Sequence, residues 1–90
     1  MYILSSSPGV ERDIARLERH APTQDIERLR KAIRGLSEEP RPHGVMKLKG
    51  SSDGYRIRVG NYRVTYEVYD DAKIVAISRV LRRNEATYRE

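Results

Sequence analysis

Ninety residues can bury one modest core but not two, so residues 1–90 are expected to form a single domain. Lys and Arg outnumber Asp and Glu by 18 to 13, and a net charge of +5 with a pI near 9.8 suits nucleic acid or an acidic protein as partner. The absence of Cys excludes a disulfide framework and a thiolate metal site, and no stretch approaches the ~20 apolar residues of a membrane-spanning helix.

The opening MYILSSS lacks a basic region followed by a long apolar run, and no lipidation signal is visible, so a cytoplasmic protein without membrane attachment is expected. The two histidines, His20 and His43, have no second ligand at metal-binding spacing. Neither a metal centre nor a cofactor is therefore expected.

Residues 2–5 are a short apolar run that reads as an edge strand. Ser7 followed by Pro8 supplies an N-cap and a residue pre-set for the first turn of a helix reaching Arg19 or His20, with Val10, Ile14 and Leu17 on its apolar stripe. Ala21-Pro22 breaks it, and a second helix from Pro22 or Thr23 repeats Ile26, Leu29, Ile33 and Leu36 at helical spacing. Its outer face carries Arg28, Arg30, Lys31 and Arg34, which reads first as an ordinary solvated face and second as a dedicated RNA-binding face.

Residues 37–44, SEEPRPHG, are too rich in Pro and Gly for regular structure. A strand is expected over 45–49, with Met46 and Leu48 pointing one way and Lys47 and Lys49 the other. The turn GSSDG leads into YRIRVGNYRVTY, residues 55–66, where Gly60-Asn61 is a two-residue hairpin signal. That loop sets Val59 against Tyr62, Ile57 against Val64 and Tyr55 against Tyr66 on one core-facing side. Arg58 then opposes Arg63, and Arg56 opposes Thr65. Like charges directly across an antiparallel pair are destabilising by up to ~1 kcal/mol, so this face calls for an anion such as a phosphodiester.

After the Asp70-Asp71 turn, residues 73–81 carry apolar side chains on both faces, the pattern of a centrally placed strand covered on both sides. The tail RRNEATYRE is polar, either a turn of helix or an irregular end. The fold class is α+β: an N-terminal strand and an αα-hairpin packed on a largely antiparallel sheet of about four strands. If the last strand pairs with the Tyr62–Val68 run, then Arg56, Arg58, Arg63, Arg79, Arg82, Arg83 and Tyr88 could converge, with Lys47 and Lys49 extending the cationic face. Guanidinium groups bind phosphate oxygens bidentately and stabilise charge on a pentavalent phosphorus. The residues alone specify an anion-binding module and stop short of a reaction.

The block KLKGSSDGYRIRVGNYRVTYEV, followed by an apolar strand and an Arg-Arg…Tyr tail, resembles the RelE family of toxins from type II toxin–antitoxin modules, along essentially the whole chain. The resemblance implies a microbial-ribonuclease-like fold and a metal-independent endoribonuclease that cuts messenger RNA in the ribosomal A site. In that chemistry the ribose 2′-hydroxyl attacks the adjacent phosphate, leaving a cyclic phosphate and a 5′-hydroxyl. By position, Arg56 and Arg58 stand where well-known members have lysines, Arg63 and Arg83 (or Arg82) match family arginines, and Tyr88 matches the family tyrosine. Lys47, Lys49, Arg79 and Arg82 are the expected RNA-binding residues around them. The implied partners are the ribosome, messenger RNA and a cognate RelB-like antitoxin in a hetero-oligomer. The alternative function is that of a ParE-like inhibitor of DNA gyrase, a binding protein without nuclease residues.

Overall fold

The computed structural model describes residues 1–83. Strand β1 (Ile3–Ser6) feeds helix α1 (Pro8–Glu18), and helix α2 (Thr23–Gly35) follows the Ala21-Pro22 break. Strands β2 (Met46–Lys47), β3 (Gly54–Val59), β4 (Tyr62–Tyr69) and β5 (Ile74–Arg82) complete one sheet in the order β1-β5-β4-β3-β2. Only β1 and β5 run parallel. The expected α+β architecture is the observed one, with five strands instead of about four, and β1 lies at an edge as expected.

The two helical stripes and one face of the sheet share a single core. Val10, Ile14 and Leu17 of α1 and Ile26 and Leu29 of α2 pack with Ile57, Val59, Tyr62, Val64, Tyr66 and Val68 of the hairpin. Val75, Ile77 and Val80 extend this core along β5. The hairpin register is the expected one at every pair from Tyr55↔Tyr66 to Val59↔Tyr62. Tyr66 is fully buried, and its hydroxyl donates to the Pro40 carbonyl at 2.8 Å, tying the irregular 37–44 connection to the core. Burial pushes that phenol well above its ordinary pKa.

The far end of the hairpin is closed by a clamp of charge. The Asp70 carboxylate accepts from both terminal nitrogens of Arg41 (3.2 and 2.8 Å) and from the Tyr2 hydroxyl (2.6 Å). The Arg41 bonds foremost, then that of Tyr2, hold its pKa down to about 2.

Three local expectations differ from the structure. Ser7 occupies the N-cap of α1, but its hydroxyl donates to the Ser78 carbonyl (3.2 Å), stitching the strand edge instead of capping the helix. The expected strand over 45–49 shrinks to Met46–Lys47, because Gly44 turns away at φ +88° and the chain turns again at Gly50, φ +76°. Strand β5 lies inside the sheet, one place from its middle, which β4 occupies. Its two-sided apolar pattern comes partly from a bulge: Thr65 pairs with Arg79 but Tyr66 with Ile77, so the extra residue Ser78 brings Val80 back to the core face.

Candidate functional site

Alternation along β3 and β4 turns Arg56, Arg58 and Arg63 away from the helices. Arg58 and Arg63 are directly paired across the strands, a position that brings Cβ atoms to about 4.5–5.5 Å. Arg58 is exposed, whereas Arg63 is only 8% exposed and lies opposite Leu81, itself buried on the same face. Arg56 and Arg58 also line a cleft of about 280 Å³ with Gly44 and Met46.

The end of β5 returns beside the hairpin turn. The Arg83 backbone N–H donates to the Asn61 carbonyl at 2.8 Å. Leu81 pairs with Arg63 and Arg82 with Tyr62, so alternation sends Arg82 toward the helices, and the exposed Arg83 follows in the turn after β5. Arg82 neighbours the Tyr62 phenol, which burial and its 2.8 Å hydrogen bond to Asp25 raise and the Arg82 charge opposes. The structure thus brings Arg56, Arg58 and Arg63 to one face, with Arg83 in the turn tied to Asn61, and sets Arg82 apart.

Arg79 is committed elsewhere. Its Nε and Nη2 donate to the Asp13 carboxylate at 2.8 and 3.2 Å, and the Val80 N–H donates to the same group at 2.9 Å. Asp13 is 3% exposed and has Arg16 at 3.5 Å, so this carboxylate ties α1 to the bulged strand. Lys47 also lies off the arginine face. It pairs with Tyr55, on the core-facing side, where its Nζ donates to the Ser52 carbonyl (2.6 Å) and sits 4.8 Å from the Tyr55 ring centroid. Met46, opposite Arg56, takes the place expected for the lysine: β2 enters the sheet with the reverse facing. Lys49 lies beyond β2, in the turn that precedes β3. Tyr88 falls outside the described residues.

Two cations make contacts that the sequence reading did not place. A Cβ built on Gly60, which sits at φ +59°, would lie 3.2 Å from Nη1 of Arg28, so an arginine from the supposedly solvated face of α2 reaches the hairpin turn. Arg41 is the second, its Nε donating to the Tyr55 hydroxyl at 3.1 Å and lowering that phenol's pKa. Tyr55 itself is half-buried on the helix side, stacked on Tyr66, and so stands away from Arg58 and Arg63.

A family model described as the ParE toxin of the type II toxin–antitoxin system parDE matches residues 4–87. The chain belongs to the RelE/ParE superfamily of type II toxins. A Methanocaldococcus jannaschii relative named as a RelE1 toxin candidate is 34% identical over 68 residues, covering 72% of this chain and 76% of its own. The toxin's fold also matches the archaeal RelE–RelB complex of Pyrococcus horikoshii, with TM-score 0.77, 30% identity and coverage of 94% of this chain and 98% of that one. The isolated Escherichia coli RelE toxin superposes with TM-score 0.75 at 25% identity, covering 96% of this chain and 88% of that one. The family model carries the ParE name, whereas these relatives carry the RelE name. Among the described residues, no helix is long and apolar enough to cross a membrane.

Proposed function

We propose that this toxin is a ribosome-dependent endoribonuclease that cuts messenger RNA in the A site. The observation that carries the reading is the Arg58–Arg63 pair, two like charges fixed directly opposite each other with Arg83 tethered at the adjoining turn. A scissile phosphate seated between these guanidinium groups is held by both, and the charge added as the 2′-hydroxyl attacks strengthens the contact in the transition state. Arg56 completes the cradle. Arginine does not deprotonate at any working pH, so none of the four can act as the base. That role falls to Tyr88, while Arg83 assists the departing 5′ oxygen.

The RelE–RelB assemblies of the structural relatives support a RelB-like antitoxin as partner, one whose acidic and apolar segment folds over the basic face. A second reading draws on the ParE name of the family model: a toxin that binds DNA gyrase and cuts no RNA. Expressing the toxin without antitoxin separates the two. The nuclease reading expects cut messenger and loss of toxicity in Arg63→Ala and Tyr88→Phe; broken DNA with toxicity retained in both variants would replace it with the gyrase reading.

A further inference from the structure

Behind the arginine face, a groove of about 430 Å³ opens between α2 and the edge of β3. Its walls include Ala32, Leu36, Ile57 and Val59, and its rim holds Arg28, Glu39, His43 and Arg58. Arg58 also lines the cleft beside Arg56, so one guanidinium borders both spaces. We propose that this groove seats the base of the RNA nucleotide adjoining the scissile phosphate, an inference that rests on the nuclease reading above.

The chemistry of the lining fits a nucleotide. A base presents two apolar faces and a polar edge, and the groove offers apolar walls with polar groups confined to the rim. Its volume lies in the range of small-ligand clefts, ~300–1,000 Å³. Arg28 and Arg58 flank the mouth with the charge that a sugar–phosphate chain requires. Glu39, the one carboxylate among the described residues of the lining, accepts hydrogen bonds and repels phosphate, so it suits an exocyclic amine of the base. Arg28 therefore holds the strand whatever its base, and Glu39 is the specificity residue that reads the base.

The obvious rival occupant is an extended peptide adding to the sheet. Leu48 N–H donates to the Gly54 carbonyl, so Gly54, Arg56 and Arg58 turn their backbone groups toward β2, whose pairing reaches Arg56 and ends at Met46. The edge left within β3 is the single residue Arg58. That is too short a ladder for strand addition, whereas a single base needs none.

The test uses the whole chain and RNA trinucleotides carrying a 2′-deoxy sugar at the cleavage position, with each of the four bases at the adjoining one. Wild-type protein should bind amine-bearing bases more tightly than uracil by roughly tenfold. Glu39→Gln should shrink that ratio, Ala32→Trp should fill the groove and abolish the preference, and Arg28→Gln should weaken binding of all four equally. Thermal unfolding and circular dichroism identify the variants that fold. If the folded Glu39→Gln and Ala32→Trp proteins keep the wild-type preference, the inference is overturned. It is equally overturned if a peptide alternating Leu and Glu competes with none of the RNA yet loses its own binding in Ala32→Trp, since the groove then serves a protein. Messenger cleavage is scored separately: wild type that cuts nothing removes the nuclease reading, and base-selective binding then reports on the groove alone.

Discussion

The two faces of the β3–β4 hairpin follow opposite logic. On one, Ile57, Val59, Tyr62, Val64 and Tyr66 disappear into the core, each at 8% exposure or less, and the helices are arranged to cover them. On the other, one residue away along the same strands, Arg58 and Arg63 face each other across the ladder. The first face adds to stability; the second opposes it. Two guanidinium groups held side by side in this way form a ready site for an anion with several oxygens.

That contrast can be broken from either side. Leu29→Ala, at a fully buried site on the helix side, should lose about 2–5 kcal/mol in urea denaturation. A clear effect on stability should also come from Asp13, because Asp13→Ala leaves the Val80 N–H without its carboxylate acceptor and cuts the link from α1 to β5. A loss of about 1–3 kcal/mol is expected in the same assay. On the arginine face the losses should fall on activity: Arg63→Ala is expected to slow messenger cutting by about 10²–10³-fold, the usual effect of removing one preorganised charge donor.

Arg58→Thr sharpens the comparison, since it should raise stability by a few tenths up to ~1 kcal/mol while lowering cutting. A variant both less stable and fully active would invert the assignment of the two faces. The smallest effect concerns the clamp. Asp70 is held at about 2, below the 3.8 of a free carboxyl, so its contribution is complete above the free value and fades as the pH falls toward 2. Unfolding followed between pH 5 and 2 should lose less stability in Asp70→Asn than in wild type.

The hairpin was legible because two signals agree there: a Gly60-Asn61 turn fixes the loop, and a strict period of two fixes which side chains share a face. The reversed facing of Lys47 was not, since strand register carries no local signal and the geometry at Gly44 decides it. Nor was the bulge at Ser78, which accounts for part of the two-sided apolar pattern of β5. Asp13 reads as an ordinary helix surface charge until β5 is laid beside α1, and Arg28 as a solvated cation until the turn at Gly60 closes on it. What escaped the sequence in each case is a contact between elements far apart in the chain. Arg56, Arg58 and Arg63 share one face as their spacing implies, whereas Arg82 turns toward the helices and a buried carboxylate draws Arg79 to α1.

The central claim is that the arginine face holds a scissile RNA phosphate. Its most direct test is to map the ends of ribosome-bound messenger in a translating extract dosed with wild-type toxin or with Arg63→Ala. The account predicts new 5′-hydroxyl ends within the A-site codon for wild type, nearly absent with Arg63→Ala; intact A-site messenger with wild type, or equal cutting by both proteins, would contradict it.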